Sequence, residues 1–192
     1  MSDEPDIRQR ILDAALGLFA HQGYGSTSVR EVVEAAGVTK PTLYYYFDGK
    51  EALFREVISS KLSESDSLVA EMLGREGSVV DKLRMVFQTM VERAQADPDV
   101  LRLMFTCSLP GAKGQPEVDV IERHIQKMAP LEALIATGVA AGEFRADVDP
   151  HFAVFSLLGA INLHIVTVLH GMDVPADSVD RILDTWLHGV AP

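Results

Sequence analysis

The chain has 192 residues, 47% of them hydrophobic, enough for a real core in one or two domains. Its formal charge of −11 argues against a protein that holds nucleic acid by bulk electrostatics, and its one cysteine, Cys107, excludes an intrachain disulfide and a cysteine-rich metal site. The start Met1-Ser2-Asp3-Glu4-Pro5 is acidic and polar, unlike an export signal, so a reducing cytoplasm is the expected location.

Ile7, Ile11, Ala14, Ala15, Leu18 and Phe19 recur at helical spacing and Gly23 ends the run, which predicts a first helix. A second helix follows at once. Thr27 or Ser28 supplies its N-cap, and Ser28 with Glu31 three residues on reads as a capping box. Val29, Val32, Val33 and Ala36 form one apolar stripe, and Gly37 stands where a left-handed residue is needed to stop the helix. Val38 plugs the turn, Thr39 is a new N-cap, and Pro41 is tolerated because the first helical turn has no use for its missing N–H. In this third helix Leu43 and Phe47 face inward. Lys40, Pro41, Thr42, Tyr44, Tyr45 and Tyr46 supply a cation, hydroxyls and flat apolar surface near the helix start. Consecutive tyrosines point in different directions around a helix, so at least one is expected to be exposed. Asp48, three before Glu51, is read as the cap of a fourth helix.

Two short helices joined by a tight Gly-containing turn make a helix-turn-helix, whose second helix enters the major groove with its N-terminal residues on base edges. Thr42 suits a base edge or phosphate and Pro41 a thymine methyl. Tyr45, Tyr46 and Lys50 are long enough to reach phosphates. The alternative is a helical packing unit in which the tyrosines are partly core. The stretch from Gly23 to Phe54 closely resembles the DNA-binding signature of TetR-type repressors, the tetracycline-repressor family, with the wider likeness covering roughly residues 7 to 58. This resemblance implies that Lys40, Pro41, Thr42, Tyr44 and Tyr45 contact bases or the groove, and that Thr27, Ser28, Thr39, Tyr46 and Lys50 contact phosphates. Arg30 joins the DNA-facing set. Pro41, Tyr46 and Val33 depart from the residues common in the family, so base preference does not carry over. Six Lys and Arg oppose nine Asp and Glu over residues 1–60, a net of −3, and the remaining −8 lies beyond. Tight binding is therefore expected only at a specific, salt-sensitive site.

Leu53, Phe54, Val57, Ile58 and Leu62 extend the fourth helix toward Met72, with no breaker before Gly74. Val79, Val80, Leu83, Val86, Phe87, Met90, Val91 and Ala94 form a fifth stripe. Asp97-Pro98 opens a sixth helix, which ends near Leu109 ahead of the loop Pro110 to Pro116, a stretch without P-loop spacing. Ile121, Ile125, Met128, Leu131, Leu134, Ile135 and Val139 mark a seventh, ending around Gly142, with Gly138 and Gly142 read as sites of close helix packing. Asp149-Pro150 starts an eighth. From Phe152 to Leu169 this helix has eighteen residues without a charged side chain, long enough to span a membrane. Ser156, Asn162, His164 and Thr167, with acidic rather than basic flanks, favour a helix buried on all sides against a partner subunit instead. The ninth carries an apolar face of Val179, Ile182, Leu183, Trp186, Leu187 and Val190.

The fold expected is all-α, with a helix-turn-helix DNA-binding domain over 1–50 and an effector-binding and dimerisation domain over 51–192. The family resemblance implies a homodimer through the last two helices. A two-fold dimer implies a palindromic duplex operator, and a small-molecule effector that alters the spacing of the heads would release it. Candidate pocket residues are Phe87, Met90, Met104, Phe105, Met128, Phe155 and Asn162, with His164 as a polar anchor. The histidines lack metal spacing and no catalytic motif or nucleotide loop emerges, so no metal, cofactor, membrane partner or enzymatic activity is expected. The rival is a helical ligand-binding or interaction module that no longer binds DNA.

Overall fold

A computed structural model describes residues 6–108, 115, 116, 118 and 120–190. Among these residues there are nine helices and no strand: α1 (Ile7–Ser26), α2 (Val29–Ala36), α3 (Lys40–Tyr46), α4 (Gly49–Leu73), α5 (Val79–Ala96), α6 (Pro98–Ser108), α7 (Val120–Ala141), α8 (Pro150–Leu169) and α9 (Ser178–Val190). The all-α expectation and the order of the elements hold. The loop expected at 110–116 lies outside the described residues apart from Gln115 and Pro116, as do the side chains of Ile121, Ile125 and Val190.

Packing divides the chain into two units, Met1–Ser65 with Asp99–Val120 and Asp66–Pro98 with Ile121–Pro192. The boundary expected at residue 50 coincides with the start of α4. The packing border falls within α4 instead, because Leu53, Phe54, Val57 and Ile58 on its first half are core residues of the first unit. Leu103 of α6 is buried in the same cluster, with Val100, Met104 and Cys107 packed against it. Cys107 is partly buried against that cluster, and burial pushes its thiol up to about 11, which keeps it protonated at neutral pH.

The first unit is assembled from short elements with explicit stops. Gly23, at φ 79° and ψ 160°, interrupts α1, and its carbonyl then accepts from both the backbone N–H and the hydroxyl of Thr27. Ser28 is the N-cap of α2, in a complete capping box with Glu31. Gly37 ends α2 in the left-handed region, with Gly37 N–H bonded to Glu34 and Val38 N–H to Val33, the paired bonds of a Schellman motif. Arg10 reaches across from α1 to donate to the carbonyl of Ala36 at 2.6 Å. Thr39 caps α3 with Pro41 in its first turn, and Leu43 and Phe47 are buried beneath it.

In the second unit α5, α8 and α9 pack on one another. Ser78 and Asp81 form another capping box at the start of α5, and Asp149 caps α8 by accepting from His151 and Phe152 N–H. Arg84 of α5 is ion-paired with Asp180 of α9. The α8 helix is buried on one side only: Ala153, Val154, Leu157, Leu158, Ile161 and Ile165 face inward, whereas Phe152, Phe155 and Leu163 are exposed. The burial expected on all sides of α8 invoked a partner subunit, and among the described residues of the single chain only one side is covered.

Candidate nucleic-acid interface

The outer surface of α3 is built from residues that the core does not need. Leu43 and Phe47 anchor the helix, which leaves Lys40, Pro41, Tyr44 and Tyr45 exposed. Tyr45 is 83% exposed and Tyr44 56%. An aromatic ring held that far into solvent gains little for folding, and the two rings with Lys40 share the exposed face of α3. Tyr46 turns back, half-buried against the core, and packs edge-on against Tyr45 with ring centroids 5.0 Å apart. Thr42 shares a hydrogen bond with Thr39, 2.8 Å between hydroxyl oxygens, which orients both at the helix start. Ser28 and Arg30 are exposed at the N-terminal end of α2.

Two residues placed on phosphate by the sequence reading are engaged elsewhere. Thr27 is only 2% exposed and its hydroxyl donates to Gly23 at 2.9 Å, bridging the connector between α1 and α2. Lys50 donates from Nζ to the carbonyls of Tyr24 and Thr27, each at 2.8 Å, and lies 4.1 Å from the Tyr24 ring centroid. Most other cations of the head are held internally as well. Arg8 pairs with Glu56, Arg30 with Glu34 and Arg55 with Glu51, while Arg10 caps α2. Among the described residues of the head, Lys40 is the cation presented with no partner on the protein. The exposed face of the helix-turn-helix is thus a small polar and aromatic surface rather than a basic field.

The family model described as bacterial regulatory proteins, tetR family, matches residues 11–57, the whole helix-turn-helix with most of α1 and the start of α4, and one described as tetracyclin repressor-like, C-terminal domain, matches residues 76–165. The chain belongs to the TetR family of transcriptional regulators. Within that family, it is 25% identical to the HTH-type transcriptional regulator YdgC of Bacillus subtilis over 193 residues, covering 97% of this chain and 94% of that one. The fold matches the fatty acid degradation regulator FadR from Bacillus halodurans with a TM-score of 0.78 at 22% identity, over 94% of this chain and 98% of that one. It also matches FadR from Bacillus subtilis in complex with stearoyl-CoA with a TM-score of 0.77 at 19% identity, over 94% and 98%.

The candidate effector residues of this TetR-family chain are divided between the two units. Met104 and Phe105 lie on α6 in the first unit, Met104 against its core and Phe105 exposed. Phe87, Met90, Met128, Phe155, Asn162 and His164 lie in the second. Of these, Phe87 and Met128 are buried and Met90, Asn162 and His164 half-buried, but Phe155 is 63% exposed on the outer side of α8. An open groove does run between α8 and α9, lined by Ser156, Leu157, Ala160, Ile182, Thr185 and Trp186, and it uses none of the expected set. Sequence reading also passed over Phe144, which is fully buried and stacks edge-on against Trp186 with centroids 5.6 Å apart. Its only sequence signal is an isolated aromatic just beyond a helix-ending glycine.

Proposed function

We propose that the protein is a ligand-responsive transcriptional repressor, binding a palindromic duplex operator as a homodimer and released by a small molecule held in its C-terminal unit. The observation that carries the DNA-binding half is the exposed Tyr44 and Tyr45 pair beside Lys40, on a helix whose inward residues are fully committed to the core. Lys40, Pro41, Thr42, Tyr44 and Tyr45 are assigned to bases and groove, and Ser28, Arg30, Thr39 and Tyr46 to phosphates or their approach. Thr27 acts as a connector lock.

Dimerisation is supported by α8. Phe152, Phe155, Ser156, Gly159, Ala160 and Leu163 fall at successive helical spacings on its exposed side with no charge among them. An uncharged stripe of that length against water is costly, and a second copy presenting the same stripe covers it with two-fold symmetry. That places the α8–α9 groove beside the subunit contact. The exposed stripe also explains why α8 has the length and hydropathy of a membrane span while one of its faces is buried in protein. A cytoplasmic location follows from the DNA partner. The stearoyl-CoA in the Bacillus subtilis FadR structure makes acyl-CoA thioesters the first effectors to screen.

The test is binding to a fragment of the protein's own promoter region with two variants. Tyr45→Ala is expected to lower affinity by about tenfold or more, the cost of removing one good groove interaction from each head, with the protein still dimeric. Phe155→Glu is expected to give a monomer of unchanged helicity that binds the fragment far more weakly. Unchanged binding by Tyr45→Ala contradicts the groove assignment, and an unchanged dimer with Phe155→Glu contradicts the interface.

A further inference from the structure

The last turn of α2 holds no basic residue of its own. A helix C-terminus carries partial negative charge and ends in carbonyls that have no intrahelical donor, so a cation is favoured there. The N–H groups of Gly37 and Val38 serve the carbonyls of Glu34 and Val33. Arg10 serves the two that follow, with Nη2 at 2.6 Å from the Ala36 carbonyl and 3.4 Å from that of Gly37. It reaches them from α1, where its neighbour Ile11 is fully buried in the core of the head, so the guanidinium is held from a fixed base. A second feature lies at the same place. Gly37 has φ 64°, and a Cβ added to it would stand 2.9 Å from Arg10 Nη2. What that carbon meets is the far end of a flexible side chain, so a larger residue would displace the guanidinium rather than the helix. Gly37 thus serves two ends, a left-handed backbone and an open approach for Arg10. Asparagine, which tolerates the left-handed region, meets only the first.

We propose that Arg10 and Gly37 act as a pair that positions α3 for DNA reading: the guanidinium from α1 caps α2 and fixes the turn from which α3 departs, and the glycine keeps that approach open. The role of the pair rests on the reading of α2 and α3 as the DNA-binding unit. Only residues 37–39 separate the two helices, so the direction of α3 is set by where the final carbonyls of α2 are held. Arg10 holds them from a third helix, which makes the turn part of the rigid head instead of a free joint. The guanidinium suits the task because its planar fork presents donors in fixed directions. Arg10 therefore acts on the operator through the turn, by way of Tyr44, Tyr45 and Lys40 on the face that α3 exposes.

The test uses the full-length protein, a duplex selected by the wild type from a random pool, and a scrambled duplex of the same length. Arg10→Met keeps the apolar stem and removes the donors. It is expected to lower the melting temperature of the DNA-free protein by about 2–4 °C, the shift for one lost hydrogen bond in a chain of this length. Amide exchange over residues 36–43 is expected to accelerate. Specific affinity is expected to fall about tenfold, comparable to one mismatched base pair, while affinity for the scrambled duplex and the slope of log K against log salt stay as in wild type. Arg10→Lys, which keeps a charge and one donor for Ala36, is expected to recover part of the specific-to-scrambled ratio. Gly37→Asn is expected to lower that ratio by itself but to cost nothing further when added to Arg10→Met, since no guanidinium is left to displace. Three results overturn the pair. Additive effects of the two substitutions on melting and specificity show that Gly37 and Arg10 act separately. Both duplexes weakened alike by Arg10→Met, with the slope reduced by roughly 0.9 for each phosphate no longer neutralised, identify a phosphate ligand. A lowered melting temperature with an unchanged specificity ratio identifies a merely structural cap. A folded wild type that selects no duplex rejects the DNA-binding reading and the positioning role with it, a failure distinct from the other three because it appears before any substitution is made.

Discussion

A methyl group added to Gly138 would sit 2.6 Å from Cε2 of Phe144 and 3.2 Å from Cγ2 of Val79. No carbon tolerates that approach, and the ring cannot retreat easily because Phe144 is buried and braced against Trp186. Gly138→Ala is therefore expected to destabilise the protein by about 1–3 kcal/mol, the usual cost of forcing extra volume into a packed site. Urea unfolding measures it, and a midpoint equal to wild type contradicts the packing. The sequence already marks Gly138 as a place of close approach, but the residue that approaches is not legible there: a single phenylalanine beyond a helix carries no periodicity. Tyr45 and Tyr44 show the opposite case. Their exposure follows from the geometry of three consecutive tyrosines on a helix anchored by Leu43 and Phe47. For Thr27 and Lys50 the sequence announces a polar contact without revealing the backbone carbonyls that they also bond within the chain.

At the level of elements, the helix-turn-helix was the most readable part of the chain, since each of its boundaries is written in local chemistry. Ser28 and Glu31 start α2, Gly37 stops it, and Thr39 with Pro41 starts α3. The same chemistry makes α2 acid-sensitive. The Ser28 hydroxyl, followed by the Ser28 backbone N–H, holds the Glu31 carboxyl below its ordinary range. A carboxylate depressed on folding contributes stability that is fully present above its unfolded value of about 4.3 and lost as pH falls through the lower folded value. Amide protection in α2 is expected to decline only below about pH 4 for this reason, and Glu31→Gln, which preserves a hydrogen-bonding side chain, should remove that part of the pH dependence. A Glu31 carboxyl that titrates by NMR at or above the ordinary glutamate value contradicts the capping role. Less readable was α8. Its unbroken apolar run announces burial on more than one side, whereas only one side is buried within the chain, because hydropathy cannot distinguish a face covered by the same chain from one that is not. Nor could it reveal that α6 packs in the first unit, because Leu103 looks like any other core leucine.

For the whole molecule, the acidic charge and the DNA-binding fold are compatible once the cations are followed to their partners. Arg8, Arg10, Arg30, Lys50 and Arg55 all have intramolecular partners, and Lys40 stands with two tyrosines on the surface offered to the groove. Such a head is poorly suited to holding random duplex by charge, and the proposed pairing of two chains along the uncharged stripe of α8 would let base-edge complementarity act in two places at once. The candidate pocket was the least legible feature, because the same Met and Phe residues serve as core packing in any helical domain and their distribution between two units follows only from the fold. The most direct measurement is selection from a random duplex pool at moderate salt, using purified protein of established mass, followed by sequencing of the bound fraction. The account predicts an enriched palindrome with half-sites about one helical turn, ~34 Å, or a multiple of it apart. A folded dimer that enriches no sequence would contradict it.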